Sequence, residues 1–128
     1  MHNASPHLPD PAADLQPNFR LWIYSPMRQG VFGDGKVRLL ETIARTGSLQ
    51  LAARDLGISY RKAWGDLKKA ESCLAKPLIL RVRGGKGGGR TTLTPQGDRI
   101  IQAFQQFRMT VERHTLTAFN TLKGELNP

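Results

Sequence analysis

The chain has 128 residues, a net charge of +9 and a single cysteine, Cys73. That length gives about one domain with a modest core, and a lone thiol excludes an intrachain disulfide. No apolar run approaches the roughly 20 residues of a membrane helix, and the positive charge favours an anionic partner, either nucleic acid or an anionic membrane surface.

In chain order, residues 1–18 contain Pro6, Pro9, Pro11 and Pro17 and few core-forming side chains, and a disordered tail is expected. The same stretch lacks the charged and apolar regions of a secretory signal, which with the lone cysteine predicts a cytoplasmic protein with no membrane partner. Phe19–Tyr24 alternates in polarity and is β-prone, so it reads as a strand. Pro26 and Gly30 suggest a turn, with Val31 and Phe32 pairing back. From Gly35 the period changes to helical. Val37, Leu40, Ile43 and Ala44 predict a helix over 35–46 that Gly47 ends. Ser48 is a suitable cap for a second helix carrying Leu49, Ala52, Ala53 and Leu56 inward, closed by Gly57. Ser59 caps a third helix from Tyr60 to about Ala75, with Ala63, Trp64, Leu67, Ala70 and Leu74 inward and Pro77 stopping it.

Beyond Pro77, Leu78–Arg83 is β-prone, residues 84–90 form a glycine-rich loop, and Thr91–Leu93 returns as a strand. Thr94 followed by Pro95 marks the start of a last helix, periodic to Asn120 and roughly 39 Å long at 1.5 Å per residue. The expected fold is α+β and mostly α. It is a winged helix-turn-helix with an N-terminal β-strand or hairpin and a long C-terminal dimerisation helix. The expected division is a tail at 1–18, the winged domain at 19–94, the helix at 95–122 and a tail at 123–128.

Helix, tight glycine-containing turn, helix is the arrangement that places a second helix in the major groove of DNA, its first residues on the base edges. Those residues are Ser59, Tyr60, Arg61 and Lys62, with Asp66 a turn later. Arg61 can take guanine bidentately, while Lys62 and Lys69 suit phosphate. Ser48 and Gln50, at the start of the second helix, join the expected contact set. The alternative for each is a solvated helix face. The charge favours the DNA reading, because residues 54–90 hold ten Lys or Arg against three acids, +7 of the chain's +9. In the loop, Lys86 and Arg90 supply charge, and Gly87 and Gly88 permit close backbone approach; a partnerless hairpin tip is the alternative. A nucleotide-phosphate loop is disfavoured, since the stretch lacks G-x-x-x-x-G-K-[ST] and does not lead directly into a helix.

Together, Thr46-Gly47-Ser48, Ala52-Ala53, the run Gly57-Ile58-Ser59-Tyr60-Arg61-Lys62-Ala63-Trp64, the loop Gly84-Gly85-Lys86-Gly87-Gly88-Gly89 and Leu93-Thr94-Pro95-Gln96-Gly97 resemble the DNA-binding domain of the ModE family. These are molybdate-responsive regulators with a winged helix related to that of LysR-type proteins. The resemblance spans residues 19–120. It implies a homodimeric transcriptional regulator on an inverted-repeat operator, with Ser59–Lys62 on the reading helix and Lys86 and the following glycines on the wing. Full-length members add a molybdate-binding domain. This chain ends at Pro128, soon after the long helix, so the resemblance is to the short DNA-binding form or to an excised domain, and molybdate is not expected as its ligand.

Ile100, Phe104, Phe107, Val111, His114 and Ala118 are spaced four, three, four, three and four, a heptad seam that a second copy could cover in part. Phe19, Leu21 and Ile23 of the first strand are expected to add to that contact; a purely intrachain seam is the alternative. Catalytic chemistry is not expected. His2 and His7 lie in the tail and His114 on the last helix, so with one cysteine they form no metal cluster and no nucleophile pair, and no cofactor is expected. The competing functional class is a protein-interaction or molybdate- or tungstate-binding module on the same scaffold.

Overall fold

The computed structural model describes residues 12–84 and 89–126. The chain divides into two compact units, one of residues 20–105 and one of residues 1–19 with 106–128.

The first unit opens with strand β1 (Trp22–Ser25), which pairs antiparallel with β2 (Arg28–Gly33). The strand begins three residues later than its alternation suggests, and β2 is longer than Val31-Phe32. Only two of its residues, Phe32 and Gly33, are buried; Arg28 and Gln29 are exposed and polar, so the start of the strand carries little hydrophobic signal. Gly30 sits at φ +89°, and a Cβ there would meet the Lys69 carbonyl oxygen at 2.4 Å. Only glycine allows the hairpin to lie this close to the third helix.

Helices α1 (Asp34–Thr46), α2 (Leu49–Leu56) and α3 (Tyr60–Leu74) follow. Gly47 and Gly57 end the first two in the left-handed conformation, at φ 74° and 69°. Ser48 and Ser59 cap the next two, accepting from the backbone amides of Leu51 at 3.1 Å and Lys62 at 3.0 Å. The core is built from Phe32, Leu40, Ile43, Leu67 and Leu78, with Ala52, Ala53, Ala63 and Ala70 letting the helices close on one another. Two expectations change here. Ala44 is exposed while Leu39 and Thr42 are buried, because α1 is covered over a wider arc than one heptad stripe. Cys73 is buried on α3, and Trp64 and Leu74 are only partly covered. α3 ends with Ala75 at φ 54°, a left-handed cap without glycine.

The second sheet pairs β3 (Ile79–Val82) with β4 (Arg90–Leu93), antiparallel, with Val82 opposite Arg90. The strands are joined through the glycine loop. The last helix, α4 (Pro95–Leu126), starts at a cap in which the Gly97 amide donates to Thr94 Oγ1 at 2.8 Å. It continues four residues past the expected end at 122. Its first turns close the core of the first unit through Ile101 and Phe104, with Phe104 edge-to-face on Phe32 at 5.3 Å between centroids.

In the second unit, residues 12–19 take a defined course along the later turns of α4, in contrast to the tail expected at 1–18. Ala12 is buried, the Lys123 ammonium donates to the Ala13 carbonyl at 3.2 Å, and the Arg108 guanidinium lies over the Phe19 ring at 4.8 Å. The half-buried Arg108, Val111, Thr115, Phe119 and Lys123 form one helical stripe at spacings of three and four. Residues 1–11 of that expected tail lie outside the described residues. Among the described residues, no helix is long and apolar enough to cross a membrane.

Candidate nucleic-acid interface

The α2–α3 turn sets the direction of the candidate reading helix. Left-handed Gly57 reverses the chain, with the Ile58 amide donating to the Ala53 carbonyl at 3.0 Å. Ser59 then occupies the cap, and α3 begins with Tyr60, Arg61 and Lys62, all exposed. Ala63, Leu67 and Ala70 fasten the opposite face of the helix to the core. The free face is therefore polar and basic at its first turn, where base edges can be reached.

The charged groups of this turn are not equivalent. Lys62 donates to Asp66 at 2.9 Å, and Lys36 of α1 approaches the same carboxylate at 3.8 Å. Asp66, expected as a DNA contact, holds both lysines and is one-fifth exposed. Arg61 has no hydrogen bond or ion pair among the described residues and stays open to a ligand. Lys69 is likewise exposed.

Two aromatic residues lie beside this surface. Tyr60 is 47 % exposed and its hydroxyl accepts from the Arg81 guanidinium at 3.0 Å. Arg81 in turn lies 5.0 Å from the centroid of Trp64, and Lys68 lies 4.5 Å from it. In the sequence Trp64 reads as a core residue, and nothing local singles out Arg81, Lys68 or Lys36. The spacing of Tyr60, Trp64 and Lys68 by four residues marks one helical stripe, but Arg81 joins it only through the fold.

The wing stem is fixed to the helix-turn-helix. The Thr91 amide donates to the Gly47 carbonyl at 2.9 Å, and the Arg90 guanidinium passes close to Gly47. Ser48, which follows Gly47, is a half-buried cap, and Gln50 and Arg90 are exposed. Lys86, Gly87 and Gly88 lie outside the described residues.

The residues expected to pair two copies fall into separate environments. Leu21 and Ile100 pack partly buried on the domain's own core, and Phe104 is inside it. The heptad seam thus begins as an intrachain contact, because β2 offers Phe32 to the start of α4. Ile23 is 38 % and Phe107 45 % exposed; Val111 is half-buried, and His114 and Ala118 are exposed. Phe19 is stacked under Arg108. No group of three or more His, Cys, Asp or Glu that could hold a metal occurs among the described residues.

Comparison with known proteins places this geometry in context. The family model described as bacterial regulatory helix-turn-helix protein, lysR family, matches residues 35–98, half of the chain. Transcriptional regulator ModE of Haemophilus influenzae is 35 % identical over 112 residues, which are 87 % of this chain and 42 % of the relative. Molybdenum-pterin-binding protein MopB of Rhodobacter capsulatus is 43 % identical over 72 residues, 56 % of this chain and 27 % of the relative. The chain thus spans less than half the length of these curated relatives. In fold it is similar to the crystal structure of the BenM DBD/benA site 1 DNA complex, with a TM-score of 0.51 at 19 % identity, covering 70 % of this chain and 96 % of that one.

Proposed function

Because the chain belongs to the lysR family of bacterial regulatory helix-turn-helix proteins, we propose that it is a sequence-specific transcriptional regulator that binds double-stranded DNA. The first turn of α3 enters the major groove. Arg61 takes a guanine, Ser59 and Tyr60 bond phosphate or base, and Lys62, Lys69, Lys86 and Arg90 hold the backbone and set the register. Ser48 and Gln50 meet phosphate beside Arg90. Its work is binding and not catalysis.

The observation that carries this reading is Arg61. It is exposed and without a partner among the described residues, on a turn whose direction Gly57 and Ser59 fix. A single reading helix covers few base pairs, so the regulator acts as a homodimer on an inverted repeat. The exposed Phe107, Leu122 and Leu126, on one side of α4 at about 100° per residue, support pairing through that helix. Two-fold symmetry then sets the reading helices about 34–36 Å apart. The names of the relatives support regulated genes for molybdate or metal-oxyanion transport or metabolism; no residue of this chain is assigned to the oxyanion itself.

Selection from a randomised duplex pool, with the full chain at several salt concentrations, tests this reading. An enriched inverted repeat with strongly salt-dependent binding is expected. No enrichment and a flat salt response would overturn it.

A further inference from the structure

We propose that Arg81 of the wing strand β3 is the positioning residue for Tyr60, and that it makes the Tyr60 hydroxyl a dedicated hydrogen-bond donor to DNA. The inference rests on the reading of α3 as the DNA-contacting helix. A phenol carries one proton and accepting lone pairs on one oxygen. Here the Arg81 guanidinium donates to that oxygen at 3.0 Å. Guanidinium has no acceptor, so the phenol proton must point away from it. Among the described residues nothing takes that proton, and Tyr60 is 47 % exposed, next in sequence to exposed Arg61. The acceptors DNA offers there are phosphate oxygens and the purine N7 and O6 atoms of the major groove.

The support behind Arg81 is also visible. Its guanidinium lies 5.0 Å from the Trp64 ring, and Trp64 is packed on the core one helical turn after Tyr60. A planar, delocalised cation suits both tasks, resting on an aromatic ring and donating in a fixed direction. The core thus supports Trp64, Trp64 supports Arg81, and Arg81 orients Tyr60. β3 and α3 are linked at the point where both meet DNA, so movement of the wing changes what Tyr60 can donate to.

A double-mutant cycle on the full chain tests this, using the duplex that the chain itself selects and a scrambled duplex of equal composition. Tyr60→Phe should weaken binding about two- to tenfold, the range of one hydrogen bond. In an Arg81→Ala background that loss should shrink to less than about twofold, because the phenol is no longer oriented. Arg81→Ala alone also removes a charge, but that component is present with Tyr or Phe and cancels in the cycle. Arg81→Lys keeps a cationic donor and should restore part of the dependence on Tyr60, which a residue serving only to hold β3 in place would not do. Thermal unfolding of each variant separates binding from folding. Loss on the selected duplex alone assigns a base acceptor, and equal loss on both duplexes a phosphate; either supports the proposal. The same Tyr60→Phe factor in both backgrounds, or no loss at all, overturns it while leaving the DNA-reading assignment intact. Failure of the unmodified chain to select any duplex overturns both.

Discussion

The backbone amide of Thr91 on β4 donates to the carbonyl of Gly47 at 2.9 Å, so the stem of the wing hangs from the turn between α1 and α2. Gly47 ends α1 in the left-handed conformation, so its carbonyl has left the helical ladder and needs a partner from elsewhere. The wing supplies the donor. The same contact brings Arg90 beside Gly47, just before the cap of α2, so candidate phosphate contacts from two parts of the sequence share one rigid mounting.

Arg61 carries the largest expected effect on discrimination. Arg61→Ala should weaken binding to the selected duplex by about 1–3 kcal/mol and binding to a scrambled duplex by much less. Titrations on both duplexes measure this. Equal loss on both would assign Arg61 to phosphate and remove its role in reading.

Asp66 acts in the opposite sense. It holds Lys62 at 2.9 Å and Lys36 at 3.8 Å. Asp66→Asn releases both and raises the net charge by one, so affinity for scrambled duplex should rise severalfold with a steeper salt dependence. Discrimination should therefore fall. The folding cost should be moderate, about 1–3 kcal/mol, since Lys62 is largely exposed but Lys36 is mostly buried and loses its charged partner. A log-log plot of affinity against salt checks the first effect and thermal unfolding the second.

Two glycines should respond to alanine with opposite signs. At Gly30 the backbone has φ +89° and a Cβ would lie 2.4 Å from the Lys69 carbonyl oxygen, so Gly30→Ala should cost about 2 kcal/mol or more. Gly65, inside α3, has nothing within 4 Å of its added Cβ. Gly65→Ala should stabilise by about 0.5–1 kcal/mol through helix propensity. Denaturant titration of each variant decides both.

Two phenylalanines a turn apart on α4 should separate folding from association. Phe104 is buried edge-to-face on Phe32, and Phe104→Ala should cost about 3–5 kcal/mol. Phe107 is 45 % exposed, and Phe107→Ala should cost less, about 1–2 kcal/mol, while weakening the proposed dimer. Sedimentation equilibrium with thermal unfolding reads the two effects independently.

Local chemistry explains which parts of this fold are legible in the amino-acid sequence. Ser48, Ser59 and Thr94 cap helices, and Gly47 and Gly57 end them, because capping depends on a few adjacent residues. The helix-turn-helix and the start of the reading surface follow from those signals. What a side chain meets across the fold is less legible. The heptad period on α4 is plain, yet it does not say that Phe104 meets Phe32 of the same chain. Asp66 reads as part of a basic contact surface because nothing adjacent reveals Lys36 arriving from α1. Arg81 looks like one more cation until β3 sets it against Trp64 and Tyr60. The course of residues 12–19 is hidden for the same reason, since its partners Arg108 and Lys123 lie about a hundred residues away.

The central claim is that the first turn of α3 reads a DNA sequence. It is tested most directly by the dissociation constants of the full chain for its selected duplex and for a scrambled duplex, measured side by side at two salt concentrations. The selected duplex should bind tighter by about a thousandfold or more, with both affinities falling steeply as salt rises. Equal affinity for the two duplexes would contradict it.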